Sequence, residues 1–152
     1  MKWNNLSFSE LSVDQLYDLM KLRVDVFVVE QNCPYNELDE KDRDKQTRHL
    51  LAYNDSNHIM AYARILAPGI SYPDASIGRV IVAQHARGLG LAHRLMIKAI
   101  EVSSTYWPKK NIQIGAQEHL QCFYQQQGFE VASEMYLEDG IPHLDMLLKI
   151  KD

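Results

Sequence analysis

A short segment near the middle of the chain limits the available folds more than any other. The apolar run at residues 80–82 predicts the end of a buried strand, and a loop with two glycines, Gly88 and Gly90, follows it. Beyond the loop, apolar residues recur at helical spacing at Leu91, Ala92, Leu95, Met96, Ala99 and Ile100. The segment therefore predicts a strand, a tight loop and a helix, a unit typical of α/β proteins.

The loop has the features of an anion-binding site. Gly88 and Gly90 lack a Cβ atom, so the backbone can turn tightly and approach a bulky anion closely. The first N–H groups of the following helix have no carbonyl partners, and the helix dipole makes that end positive. Arg87 adds a cation at the same place. Together these features predict a phosphate site.

Two common phosphate-binding motifs do not fit this loop. A P-loop requires Gly-Lys followed by Ser or Thr, but Leu91 follows Gly90. The dinucleotide-binding fingerprint requires a third glycine, and His93 occupies that position. The pattern that remains is Arg-x-x-Gly-x-Ala, formed by Arg87, Gly90 and Ala92. Taken alone, the pattern is also compatible with a helix that simply begins after a glycine turn.

Composition excludes several classes of protein. The 152 residues fit a single domain, and the net charge of −4 without a basic tract disfavours a nucleic-acid-binding protein. No apolar run has the length of a membrane span, and no apolar signal core follows the N-terminus. Cys33 and Cys122 have no metal-binding or redox spacing. We therefore expect a cytoplasmic protein that binds no metal, nucleic acid or membrane.

Hydrophobic periodicity predicts an α/β fold with the order β-α-β-β-β-α-β-α-β-β. The expected strands are residues 3–8, 49–53, 59–65, 77–82, 112–116, 129–135 and 144–150. The first helix begins at a capping box formed by Ser12 and Gln15, and Gly128 is placed to end the last helix. Asp139-Gly140 predicts a hairpin turn. This order predicts a mixed central sheet of about seven strands with helices on both faces.

The chain between residues 25 and 44 is strongly acidic. The segment contains only two cationic residues, Lys41 and Arg43, but seven carboxylates. The carboxylates are Asp25, Glu30, Glu37, Asp39, Glu40, Asp42 and Asp44. Such a run is often a solvated loop. It is also compatible with the mouth of a site for a cationic substrate, because carboxylates attract cations before they bind.

The motifs and the element order together resemble the GNAT (Gcn5-related) N-acetyltransferase family over nearly the whole chain. The segment Phe123-Tyr124-Gln125-Gln126-Gln127-Gly128-Phe129 is similar to the aromatic-Tyr-x-x-x-Gly-Phe segment of that family. Three segments resemble the ElaA-type subgroup of that family: Val26 to Tyr35, Ala116 to Leu120 and Asp139 to His143. The resemblance implies a single GNAT domain over residues 1–152.

The resemblance implies transfer of an acetyl group from acetyl-CoA to an amine by direct attack in a ternary complex. Strand residues 80–82 would hydrogen-bond the pantetheine arm, and backbone N–H groups of residues 87–92 would hold the pyrophosphate. The implied cofactor-binding residues are Val80, Ile81, Val82, Arg87, Gly88, Leu89, Gly90, Leu91, Ala92 and Gln117. Tyr124 matches the general acid usual in the family.

This sequence departs from many GNAT proteins at the general base. Many relatives carry a glutamate on the fifth strand, but residues 111–114 contain no carboxylate here. His49, His119 and His143 are candidates because histidine titrates in the useful pH range. Each also has a structural explanation, as a strand end, a helix turn or a cross-strand surface residue, and a water chain or a neutral amine taken from solution would serve as well.

The acceptor is expected to be an amine of a small molecule or a peptide, with a cationic amine favoured by the acidic segment. The residues proposed to line its site are Glu30, Tyr35, Glu37, Asp39, Arg64 and Arg79. Arg64 and Arg79 either bind an anionic group of the acceptor or pair with the acidic residues. The alternative function is a non-catalytic module that binds or senses acyl-CoA, and the sequence leaves monomer and homodimer open.

Overall fold

The structure is a computed structural model that describes residues 1–150. It contains eight strands, β1 (Lys2–Leu6), β2 (Arg48–Tyr53), β3 (Ile59–Leu66), β4 (Ser76–Val82), β5 (Ile112–Gln117), β6 (Glu130–Val131), β7 (Tyr136–Glu138) and β8 (Ile141–Leu148). The helices are α1 (Val13–Arg23), α2 (Leu91–Tyr106) and α3 (Gln121–Gln126). The predicted α/β fold class is confirmed, with eight strands in place of about seven.

The strands form two four-stranded groups that meet at one place. Strands β1-β2-β3-β4 pair antiparallel in that order, and β8 pairs antiparallel with β5, β6 and β7. Within residues 1–150, strand pairing between the groups is a single parallel bridge between Ala75 and Ile112. It is supported by the Gln113 N–H, which donates to the Ala75 carbonyl at 2.8 Å. β4 and β5 therefore start side by side and then separate.

Strand β3 lies at the centre of the core. Its residues from Ala61 to Leu66 are all buried, although successive side chains point to opposite faces of the sheet. Both faces are therefore covered, and helices α1 and α2 both contact β3. The largest buried apolar side chains around it include Leu19, Leu51 and Leu95.

The sequence signals for helix ends are confirmed. The Ser12 hydroxyl accepts a hydrogen bond from the Gln15 N–H at 3.0 Å, and the Gln15 side chain accepts one from the Ser12 N–H at 2.9 Å. Gly128 follows α3 with φ of +100°, a conformation that L side chains rarely adopt. The Asp139-Gly140 turn joins β7 to β8, as its sequence predicts.

The first helix continues beyond Arg23 as a π-helical segment, Val24–Glu30, which carries the chain into the acidic region. One predicted element differs from the structure. The strand expected at residues 129–135 is only two residues long in β6. Between β6 and β7 the Ser133 hydroxyl accepts a hydrogen bond from the Asp145 N–H, so a side chain replaces ladder pairing there. Hydrophobic periodicity carries no signal for such local substitutions.

No helix within residues 1–150 is both long enough and apolar enough to cross a lipid bilayer.

Candidate active site

A cleft of about 900 Å³ opens where β4 and β5 separate. All of β4, from Ser76 to Val82, lines one wall, and β5 from Ile114 to Gln117 lines the other. The side of β4 that faces away from β3 pairs with β5 only through the bridge at Ala75. Along the cleft, the backbone groups on that side of β4 are thus available to an extended ligand, which can add as a strand, except that the Val82 carbonyl accepts a hydrogen bond from Arg87 Nε at 3.1 Å.

A bulge interrupts β4 in the middle of this wall. The register passes from Tyr62 opposite Ile81 to Arg64 opposite Gly78, so Ala63 faces two residues of β4. Arg79, in the bulge, has φ of +52°, which is uncommon for a residue with a Cβ atom. The strain is offset by an ion pair, because the Arg79 Nε donates to the Glu37 carboxylate at 2.8 Å.

The glycine loop fits a phosphate group. Gly88 and Gly90 have φ of +82° and +72°, and no other atom lies within 4 Å of the position that a Cβ would occupy on either residue. Helix α2 begins at Leu91, so its first N–H groups lie at the edge of the cleft. The predicted loop residues Arg87, Gly88, Gly90, Leu91 and Ala92 all line the cleft. Leu89 does not line it, and its side chain is 74% exposed.

Two neighbouring residues at the end of the π-helical segment connect the cleft walls. Glu30 accepts a bidentate pair from Arg87, with Nη1 at 2.8 Å and Nη2 at 3.0 Å. Gln31 accepts a hydrogen bond from the Gln117 amide at 3.3 Å. The Arg87 hydrogen bond lowers the pKa of Glu30. Both predicted cofactor-binding side chains, Arg87 and Gln117, are therefore held by this segment.

Tyr124 lines the cleft from α3 and is nearly buried. Its ring packs edge-on against Phe123 and Phe129, which fixes its position. Among residues 1–150 its hydroxyl has no hydrogen-bond partner in the structure, and burial raises its pKa to about 12. The phenol therefore keeps its proton at neutral pH and has a hydrogen to donate.

The three candidate histidines occupy different environments. His119 lines the cleft and is exposed, in the turn after β5. His143 also lines the cleft, but it is buried and its ring stacks on Tyr136. The Ile141 carbonyl, which can only accept, lies 2.7 Å from His143 Nδ1. This contact places the hydrogen on Nδ1, so Nε2 of the neutral ring carries the lone pair.

His49 is not at the cleft, contrary to its proposed role as a base. It is fully buried in β2, with Nδ1 bonded to the Tyr62 hydroxyl at 2.6 Å and Nε2 to the Asp42 carbonyl at 3.0 Å. Burial lowers its pKa. Both ring nitrogens are occupied, so His49 links β2 and β3 to the acidic segment instead of accepting a proton from a substrate.

The acidic segment is neither a solvated loop nor an open cationic mouth. Glu37 and Asp42 are buried and share Arg23, which lies 2.5 Å from Glu37 and 2.6 Å from Asp42. Asp39 accepts a bidentate pair from Arg64, with both distances 2.8 Å. Arg79 contacts Glu37 from the cleft side. We call these six residues the charge network: Arg23, Glu37, Asp39, Asp42, Arg64 and Arg79.

The network keeps Asp39 and Asp42 ionised. Burial opposes the ionisation of Asp42, but hydrogen bonds from Arg23 outweigh it and hold the pKa of that carboxyl below its usual range. The pKa of Asp39 is lowered in the same way by Arg64. Glu37 does not line the cleft, whereas Tyr35 does. The Tyr35 hydroxyl donates its hydrogen to the Glu37 carboxylate.

Several cleft residues were not singled out by sequence reasoning. Lys41, Ser71 and Tyr72 line the same cleft as Asp39 and Arg79, and the Lys41 ammonium donates to the Ser71 hydroxyl at 2.7 Å. They come from loops that are far apart in the sequence. In the sequence, these residues are marked only by the irregular composition around residues 68–73 and by the position of Lys41 inside the acidic segment. No cluster of His, Cys, Asp and Glu suited to a metal ion is found among residues 1–150.

Comparison with known proteins agrees with this geometry. A family model described as "Acetyltransferase (GNAT) domain" matches residues 15–150. Protein ElaA of Escherichia coli K12 is 46% identical over 150 residues, covering 99% of this chain and 97% of that protein. Its crystal structure superposes with a TM-score of 0.91 over 98% of this chain and all of that one.

Two further solved structures extend the comparison. An acyl-CoA N-acyltransferase from Pseudomonas aeruginosa has a TM-score of 0.91 and 40% identity, covering 97% of this chain and 99% of that one. An aminoglycoside 6'-N-acetyltransferase complexed with coenzyme A shares the fold, with a TM-score of 0.73 and 12% identity over 100% of this chain and 98% of that one. The resemblance predicted from the sequence is confirmed, and the chain belongs to the GNAT acetyltransferase family.

Proposed function

We propose that the protein is a single-domain N-acetyltransferase that transfers an acetyl group from acetyl-CoA to an amine by direct attack in a ternary complex. The observation that carries this proposal is that one cleft contains the glycine loop, the open side of β4, a protonated phenol at Tyr124 and a fixed imidazole at His143. A module that only binds or senses acyl-CoA needs the first two features and not the last two.

The cofactor is proposed to lie along β4 with its pyrophosphate at the start of α2. The backbone groups of residues 80–82 on the side away from β3, apart from the Val82 carbonyl that Arg87 Nε occupies, match the amide groups of a pantetheine arm. The glycine loop and Arg87 match the pyrophosphate. Bound acetyl-CoA would supply the activated acetyl group as a thioester.

Tyr124 is proposed as the general acid. The attacking nitrogen forms a bond to the thioester carbonyl carbon, and the carbon–sulfur bond then breaks with its electron pair going to sulfur. The Tyr124 hydroxyl donates its hydrogen to that sulfur, since burial keeps the phenol protonated. The apolar contacts with Phe123 and Phe129 keep the ring in place during the step.

His143 is proposed as the general base. Its Nε2 lone pair would take the proton that the amine nitrogen loses on attack, while Nδ1–H remains bonded to the Ile141 carbonyl. Glu138 lies 3.4 Å from Nε2 and would stabilise the imidazolium that results. His119 lines the same cleft but has no contact that fixes its tautomer among the described residues.

Replacing Glu30 by Gln should tighten acetyl-CoA binding by about twofold to fivefold. The change frees Arg87 from a half-exposed ion pair, a contact that contributes at most about 1 kcal/mol, and it removes a negative charge near the pyrophosphate. Isothermal titration calorimetry measures the dissociation constant. Glu40→Gln is the matched control, because the Glu40–Arg43 pair is exposed and outside the cleft. Weaker binding by Glu30→Gln would show that Glu30 holds the cofactor instead of competing with it.

Replacing Tyr124 by Phe should lower kcat by about tenfold to a thousandfold while leaving acetyl-CoA affinity nearly unchanged. The ring and its packing remain, and only the hydrogen that is donated to sulfur is lost. The measurement is acceptor-dependent release of free thiol from acetyl-CoA with a panel of amines and peptides. If the wild-type protein binds acetyl-CoA tightly but releases no thiol with any acceptor, acetyl transfer is contradicted and the sensing module is favoured.

Replacing His143 by Gln should lower kcat near pH 7 by about a hundredfold or more, and raising the pH should restore part of the loss. A deprotonated amine no longer needs the base, so the rate of the variant should keep rising at pH values where the wild-type rate is level. His119→Gln is the matched control and should keep the wild-type pH profile. Equal loss at every pH would assign His143 a structural role.

A further inference from the structure

At the acceptor end of the cleft, the carboxylates are already paired with arginine side chains. Both oxygens of Asp39 accept hydrogen bonds from Arg64, and Arg79 Nη2 lies 3.5 Å from one of them. Glu37 is bonded through one oxygen to Arg23 and Arg79 and through the other to the Tyr35 hydroxyl. These groups have little capacity left to bind an ammonium group, which removes the basis for expecting a cationic acceptor.

Donors, in contrast, are in excess at the same place. Within residues 1–150, Arg79 Nη1 has no hydrogen-bond partner, and the Arg79 side chain is 22% exposed towards the cleft. The Lys41 ammonium also lines the cleft, and among the described residues it contacts the neutral Ser71 hydroxyl and no carboxylate. Lys41 therefore adds a positive charge beside a network of three arginines and three carboxylates, while Glu138 and Asp139 line the cleft from the turn between β7 and β8.

A buried atom of the network is also one acceptor short. Arg64 uses both terminal nitrogens on Asp39 and Asp42, but its Nε has no partner among the described residues, although its side chain is only 4% exposed. An unsatisfied buried donor is costly, and few remain in folded proteins. Arg64 lines the cleft, so an additional oxygen at this end would complement the network.

We propose that the acceptor is an amine that also bears a carboxylate, as an amino acid does, and that Arg79 and Lys41 bind this carboxylate. The inference rests on the proposed acetyl transfer and names its substrate class. A guanidinium matches a carboxylate in geometry, and Arg79 keeps Nη1 for this contact while Glu37 fixes its Nε. Arg79 lies in the bulge of β4 and lines the cleft, next to residues 80–82, along which the pantetheine arm is proposed to lie.

The test compares amines that differ only in a carboxylate: lysine with cadaverine, tyrosine with tyramine, and tryptophan with tryptamine. Because the pKa of the amine itself differs within a pair, the deciding quantity is the change in kcat/KM on mutation. Arg79→Gln should lower kcat/KM for the carboxylate-bearing member by about tenfold to a hundredfold and for its partner by less than about twofold. Lys41→Met should act in the same direction and leaves the charge network intact.

Arg43→Gln is the control, since Arg43 is exposed and outside the cleft, and it should change neither member. Equal loss for both members of a pair, or no loss for either, would overturn the inference. If no amine in the panel is acetylated, the proposed activity fails, but the inference about the carboxylate can still be tested. The amines of each pair are then titrated into the CoA-loaded protein, and calorimetry measures their binding. Carboxylate-dependent binding that Arg79→Gln removes would support the inference, and its absence would overturn it.

Discussion

The short contact between β4 and β5 is the constraint on which the rest of the molecule depends. The strands are joined by one parallel bridge, between Ala75 and Ile112, and the N–H of Gln113 reinforces it. If the pairing continued, β5 would fill the open side of β4 and no cleft would exist. Because it stops, an edge that most proteins must protect lies inside a cleft of about 900 Å³, where an extended ligand can pair with it.

The charge network joins α1, the acidic segment, β3 and β4 beside this cleft. Arg23 ends α1, Glu37 and Asp42 come from the segment after it, and Arg64 lies on β3. Removing one partner from such a buried set typically costs about 3–5 kcal/mol, because the remaining charge stays buried without compensation. His49 adds a neutral link between the Asp42 carbonyl and the Tyr62 hydroxyl. The same set of contacts that orders the acidic segment also positions Arg79 at the bulge.

The sequence predicted what depends on local pattern, and it failed where long-range pairing decides. The glycine loop, the start of α2 and the cap at Ser12 follow from properties of neighbouring residues, and the structure has all three. The fate of Glu37 could not be predicted in this way, because its partners Arg23 and Arg79 are fourteen and forty-two positions away in the chain. Periodicity likewise places His49 on a strand but does not show that both of its nitrogens are bonded.

Acetyl-CoA is proposed to add to the open side of β4 and to bind at the start of α2. Hydrogen–deuterium exchange with and without saturating acetyl-CoA tests it directly, because exchange slows where a backbone N–H gains a partner. We predict slower exchange at residues 80–82 and 88–92, with little change in β1 and β2, which already pair within the sheet. Unchanged exchange in both segments when calorimetry shows the protein to be saturated would contradict the claim.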